Sequence, residues 1–270
     1  MRHRTIRHPV ELAGVGIHTG ERVRVRLLPS EAPGVWIAPA GGAAVLCNLD
    51  TVSGTLRGVS VAGVLTVEHL LAAAWTLGVT ALRVVVEGPE IPIGDGSALP
   101  FVELLRTAGT EELEAEVLEL RLPRPVWVRD GVRVAAALPD DHLRVTYVVP
   151  LRDRNPCAVD VVVTEDVFVA ELAPARTWGY AEDADSLRAE GRGRGASLEN
   201  TLVLERGRFI NPPRVPDEPA RHKVVDLLGD LALLGARVHA HVLCVGAGHA
   251  LHVALARAIR LAVAEVQRIP

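Results

Sequence analysis

His222 and Asp226 stand four residues apart in a stretch, His222 to Leu234, whose apolar spacing and terminating Gly235 predict a helix. That interval puts both side chains on one helix face, one turn apart, where a single metal ion can bind both, and Asp230 falls one turn further on. For this helix alone two readings stand: a metal-binding face, or an acidic solvent face carrying a capping histidine. Glu68-His69 opens an earlier predicted helix. If the two helix starts meet, His69 completes a two-histidine, one-aspartate set suited to zinc with an open fourth position. Zinc lowers the pKa of a water held there towards neutrality, and Glu68 stands where it can take the proton. Otherwise Glu68 is an ordinary first-turn acid favoured by the helix dipole.

Gly248-His249-Ala250-Leu251 sets another histidine at the start of the last predicted helix, where backbone amides favour developing negative charge. The dipole penalises a protonated imidazole there, so a carboxylate partner is needed, and Asp230 is the candidate. A capping or packing histidine is the alternative. His3, His8, His142, His239, His241 and His252 have no such context and read as structural or surface residues.

The elements that must position these groups follow from periodicity. Residues 22 to 28 alternate charged and apolar side chains, the period of a half-buried strand, and Pro29 to Gly34 breaks it. Val67 to Trp75 reads as a helix stopped near Gly78, Leu82 to Val86 as a buried strand ending at Gly88-Pro89, and Ala98 to Thr107 as a second helix. The order returns later. Strands are expected over Val126 to Leu138 and Leu143 to Val149, then the helix from His222, a strand from Val238 to Val245 and a helix from His249 to Gln267. This weak internal duplication predicts two α+β domains, residues 1–115 and 116–270, meeting near the acidic stretch Glu111 to Glu116. Residues 184–197 and 206–219 lack periodicity and are expected to be loops, either solvated connectors or borders of a cleft.

Composition narrows the classes. A chain of 270 residues, 49% hydrophobic and 23% charged, buries a large core, and with aromatics at only 3% that core must be aliphatic. A net charge of -4 argues against nucleic acid or an anionic membrane as a global partner. Cys47, Cys157 and Cys244 form no C-x-x-C pair, so neither a disulfide framework nor a thiolate metal site is expected and a reducing cytosol fits. No apolar segment follows Arg2, His3, Arg4 and Arg7, and no run of about 18 apolar residues occurs, so neither export nor a membrane span is expected.

An ordered set of motifs adds a resemblance. Gly14-Val15-Gly16-Ile17-His18-Thr19-Gly20 is followed by Thr66-Val67-Glu68-His69-Leu70 and by the run from Gly88 to Ser97. Then come Ala175-Arg176-Thr177-Trp178-Gly179, Arg221-His222-Lys223-Val224-Val225-Asp226 with Gly229-Asp230, and Gly248-His249-Ala250-Leu251. In this order, along nearly the whole chain, the set resembles the UDP-3-O-acyl-N-acetylglucosamine deacetylase family. The stretch Val149 to Pro156 departs from the family pattern.

The resemblance implies two similar α+β domains, each a sheet packed on helices, forming a sandwich with the helices inside and the active site between the domains. It implies zinc-dependent removal of the N-acetyl group from a small-molecule UDP-linked acylated sugar, the committed step of lipid A biosynthesis, by a cytoplasmic monomer. Carried over by position, His69, His222 and Asp226 become the zinc ligands, Glu68 the general base and His249 the general acid or oxyanion-stabilising cation. Thr177 would contact the oxyanion, Asp230 orient His249, Lys223 reach the diphosphate or sugar, and His18 lie on the acyl-sugar side. Trp178 and Phe168 have two open readings, the wall of an acyl channel or part of a domain core. The rival functions are a zinc amidohydrolase for another acylated sugar and a non-catalytic nucleotide-sugar-binding relative. A pure binding module has no need of a general base beside an open metal site.

Overall fold

The computed structural model describes residues 2–267. A first sheet is built from β1 (Val10–Val15), β2 (Arg22–Pro29), β3 (Gly34–Pro39), β4 (Val45–Leu46) and β5 (Ala81–Glu87), in the order β1-β2-β5-β3-β4. The alternation read in residues 22 to 28 is the pleat of β2: Val23, Val25 and Leu27 are buried, while Arg22, Arg24 and Arg26 face out. Helix α1 (Glu68–Thr76) lies between β4 and β5 in the chain, and α2 (Leu99–Ala108) follows β5.

The second sheet repeats the pattern. Strands β6 (Val126–Asp130), β7 (Arg133–Pro139), β8 (Leu143–Leu151), β9 (Arg154–Val162) and β10 (Arg237–Val245) take the order β6-β7-β10-β8-β9. In the first sheet β5 runs antiparallel to β2 and parallel to β3; in the second, β10 runs antiparallel to β7 and parallel to β8. Helices α3 (Glu218–Ala232) and α4 (His249–Gln267) then stand to the second sheet as α1 and α2 stand to the first. The fold is α+β, with its helices between sheets.

Helices sandwiched in this way are buried nearly all round. In α1 every residue from Glu68 to Ala74 is buried, and α3 buries twelve of its fifteen residues, including His222, Asp226 and Asp230. The two helices pack along one another. Gly229 makes the close approach possible, because a Cβ there would overlap the backbone oxygen of Glu68. The Trp75 indole N–H donates to Ala236 O (3.0 Å), fastening the end of α1 to the turn after α3. Arg260 makes a bidentate pair with Asp50 (2.8 and 2.9 Å), joining α4 to the first half of the chain.

Several sequence expectations are corrected. The strand expected from Val126 to Leu138 is a hairpin, broken at Gly131, whose φ of 59° is a left-handed turn conformation. The helix expected from His222 begins one turn earlier, at Glu218, because Pro219 suits a first helical turn that lacks N–H acceptors. The presumed loop 184–197 contains a helical turn, Ala184–Ala189, and 206–219 a short strand, Arg208–Phe209. The acidic stretch Glu111 to Glu116 lies in strand Thr110–Glu116, paired with the basic strand Arg2–Ile6, and a division at 115/116 falls at its last bond. Among the described residues no helix is long and apolar enough to cross a membrane.

Candidate active site

The starts of α1 and α4 and the second and third turns of α3 converge on a cleft of about 370 Å³. Glu68 and His69 are the first two residues of α1, His222 and Asp226 lie one turn apart on α3, and His249 opens α4. His69 Nε2 and His222 Nε2 lie 3.4 and 3.3 Å from the same oxygen, Asp226 Oδ1. A tetrahedral ion with arms of about 2.0–2.1 Å has ligand-to-ligand edges of about 3.3–3.4 Å, so both imidazole-to-carboxylate edges match those a zinc-sized cation would set. His222 Nδ1 donates to Ala175 O (3.1 Å), which leaves Nε2 with its lone pair for a metal. The donor set therefore fits zinc, with its fourth side towards the cleft.

Around this set the charges are strongly coupled. Burial by itself would raise Asp226, but His222, Lys223, His249 and His69 together hold its carboxyl well below the usual range. Lys223 Nζ donates to Asp226 Oδ2 at 2.7 Å, and that pairing keeps the lysine above its ordinary value despite burial. Burial pushes His222 down to about 3, so it is neutral, whereas for His69 the downward push of burial is outweighed by Asp226 and Glu68 and the pKa rises. Of the two imidazoles, His69 is therefore the one that more readily carries a proton when no metal is bound.

Glu68 Oε2 accepts from Val59 N–H (2.9 Å), while Oε1 lies 3.9 Å from His249 Nε2. Burial raises the Glu68 carboxyl, with His249 and His69 opposing. Burial lowers His249, with Asp226 and Glu68 opposing. His249 Nδ1 lies 2.8 Å from Asp230 Oδ2, which fixes the ring with Nε2 pointing to Glu68 and Asp226. Asp230, fully buried, is pushed up to about 6 by desolvation.

Thr177, Trp178, Lys223 and His18 all line the cleft. Thr177 is placed by its backbone, whose N–H donates to Gly96 O (2.8 Å), and by the neighbouring Arg176, which forms a buried pair with Glu218 at the start of α3 (2.9 Å). Glu90 clamps the His18 loop: its carboxylate accepts from the backbone N–H groups of His18 and Thr19 and from both the Thr19 and Thr66 hydroxyls. Of the two readings of Phe168, the structure fits the core. The residue is fully buried in the hydrophobic core and does not line the cleft, because the π-helical turn Phe168–Leu172 directs the ring inward, beside α3.

Sequence reasoning missed His252, whose Nδ1 lies 2.8 Å from Asp230 Oδ2. The signal was present, since His249 and His252 are three apart and share a helix face. It also missed Arg57, Arg152 and Tyr180 in the cleft wall, which nothing in their local sequence marks.

Two imidazoles and a carboxylate converging on one point, with a second carboxylate beside them and one side open to a cleft, could hold a metal ion in the manner of a metal-dependent hydrolase. The family model described as UDP-3-O-acyl N-acetylglycosamine deacetylase, LpxC, matches residues 3–260, and the chain belongs to that family. Relatives named UDP-3-O-acyl-N-acetylglucosamine deacetylase extend over nearly all of it. That of Phenylobacterium zucineum is 40% identical over 272 residues, covering 94% of this chain and 92% of the relative. That of Thermosynechococcus vestitus is 38% identical over 265 residues (95% and 93%), and that of Leptospira biflexa 36% over 271 (95% and 89%).

Proposed function

We propose that this chain is a zinc-dependent hydrolase that removes the N-acetyl group from UDP-3-O-acyl-N-acetylglucosamine, the step that commits the sugar to lipid A. The observation that carries this reading is the meeting of His69, His222 and Asp226 beside Glu68 and His249 at one cleft. His69, His222 and Asp226 would hold the ion, which when bound acidifies a water and polarises the acetyl carbonyl. Glu68, anchored through Oε2 to Val59 N–H, keeps Oε1 on the His249 side to take a proton from the attacking water. Its burial raises its basicity above that of an exposed carboxylate.

As the water oxygen adds to the carbonyl carbon and the C–N bond breaks, the sugar nitrogen needs a proton. His249 Nε2 faces the centre with Asp230 behind it, and it delivers that proton, so acetate and a free amine leave. Thr177, on a loop held by Gly96 and the Arg176–Glu218 pair, donates to the developing oxyanion. Lys223 balances the charge of Asp226 and is available to the substrate's polar groups; His18 and Trp178 lie further along the wall.

The reading assigns the enzyme to the cytoplasm as a monomer, and the three free, buried cysteines suit a reducing compartment. The test is elemental analysis joined to a deacetylation assay on the UDP-linked substrate. One zinc per chain, with turnover lost on chelation and restored by zinc, is the expected result. A metal-loaded protein that binds the substrate without releasing acetate would overturn the reading.

A further inference from the structure

Behind His249 runs a chain of buried polar groups that amide hydrolysis does not itself demand. Asp230 Oδ2 lies 2.8 Å from both His249 Nδ1 and His252 Nδ1. His252 Nε2 lies 2.8 Å from the Tyr147 hydroxyl, which is also 2.8 Å from the carbonyl oxygen of Ala247. Asp230, His252 and Tyr147 are completely buried. An apolar side chain in place of His252 would fill this space without the cost of burying polar atoms, so packing does not account for it.

Counting protons along the chain decides its direction. Ala247 O can only accept, so the one Tyr147 proton is given to it, and the Tyr147 oxygen must accept from His252 Nε2–H. Between His252 Nδ1 and Asp230 Oδ2 lies one further proton, carried either by the ring or by the carboxyl. If the ring carries it, Asp230 is an anion and accepts from both histidines. If the carboxyl carries it, its only hydrogen is committed to His252. In both cases His249 Nδ1 faces an oxygen with no proton to offer, so His249 must itself carry Nδ1–H.

We infer that His252, held by Tyr147, is a positioning residue that fixes His249 in its Nδ1–H tautomer and thereby reserves Nε2 for the proton transferred in the reaction. The inference rests on the role of His249 in deacetylation. Without His252, a protonated Asp230 is free to donate to His249 Nδ1, which moves the ring proton to Nε2 in the neutral form and halts the uptake and release of protons at the working nitrogen.

The test uses the full-length zinc-loaded chain with His252→Leu, His252→Asn and Tyr147→Phe. Long-range proton–nitrogen spectra of histidine-labelled protein read the His249 tautomer, and steady-state kinetics on the UDP-linked substrate read kcat and KM. His252→Leu is expected to mix the His249 tautomers and lower kcat by about 10- to 100-fold, with KM and zinc content unchanged. His252→Asn puts an amide, able to donate or accept, where the imidazole Nδ1 stood and is expected to restore both the single tautomer and most of kcat. Should His252→Leu fail to fold, Tyr147→Phe retains the ring and is expected to mix the tautomers more mildly. A pure Nδ1–H His249 and undiminished kcat in His252→Leu, an unmoved tautomer in Tyr147→Phe, or equal damage by Leu and Asn would overturn the inference. The tautomer spectrum needs no turnover, so it decides the point even if the deacetylase reading fails.

Discussion

The two halves of the chain share one strand order and use it differently. In the first, β5 leads through Gly94 to Ser97 into α2, and that junction is structural: the Ser97 hydroxyl donates to Asp95 and accepts from Leu99 N–H, Ala98 N–H donates to Ala173 O, and Gly96 O accepts from Thr177. In the second, β10 leads into α4, whose first residue is His249, facing the metal set. The central helices differ too, since α1 offers Glu68 and His69 from its very first turn and α3 offers His222 and Asp226 from its second and third. In the proposed mechanism the same scaffold positions the general base in one copy and the general acid in the other, and neither copy alone holds the complete set. Catalytic asymmetry arises from which residues stand at equivalent helix ends.

That contrast can be broken from either side. The largest effect is expected from the α3 ligand: Asp226→Ala should leave a folded protein by circular dichroism with almost no zinc by elemental analysis, and full occupancy would remove it from the ligand set. Next come the two proton-transfer residues. Glu68→Gln and His249→Ala should each retain zinc yet lose about 10²-fold or more in kcat. If either keeps near wild-type turnover, its half contributes scaffold only.

Phe168→Ala should act on stability and not on specificity. Truncating a fully buried aromatic beside α3 should cost about 3–5 kcal/mol in chemical denaturation. The preference for acyl-chain length among active molecules should stay as it was; a flattened preference would return Phe168 to the substrate path.

Gly229→Ala sets two effects against each other. Alanine favours the helix by about 1 kcal/mol over glycine, yet its methyl would drive α3 off the Glu68 carbonyl, an overpacking cost of about 1–3 kcal/mol. A net loss of stability together with weaker zinc binding is expected. A stabilised variant with unchanged zinc affinity would mean that the halves do not need this close crossing.

The smallest effect is a proton. His222, depressed to about 3 by burial, is already neutral near pH 7, whereas the His69 pKa is raised because Asp226 and Glu68 outweigh its burial, so His69 keeps a proton to higher pH. Zinc must displace it, so binding should release about one proton, and affinity should fall as pH drops below the raised His69 pKa and level off above it. Calorimetry in buffers of differing ionisation heat measures the release. No release at neutral pH would mean that His69 enters the site already neutral.

Much of the architecture was legible because period and punctuation are local: β2 alternates as its arginines and valines demand, and the spacing of His222, Asp226 and Asp230 needs only a helix. The hairpin at Gly131 and the extra turn before His222 were misjudged because an unbroken apolar run conceals a turn and a proline-rich stretch conceals a helix start. Phe168 was ambiguous, since an apolar ring suits a channel wall as well as a core.

By itself the sequence determined which groups were available: two histidines and an aspartate able to bind one ion, acids next to helix starts, and a repeated order of strands and helices. Only the tertiary structure decided which of them meet. His69 lies 157 positions before Asp226, yet its Nε2 stands 3.4 Å from the aspartate oxygen, because glycine at 229 lets α3 settle on the start of α1. His252, dismissed from sequence as structural or surface, shares Asp230 with His249 for the same kind of reason. Local spacing sets the direction in which a side chain leaves its helix, whereas the partner it reaches depends on how closely two buried helices can pack.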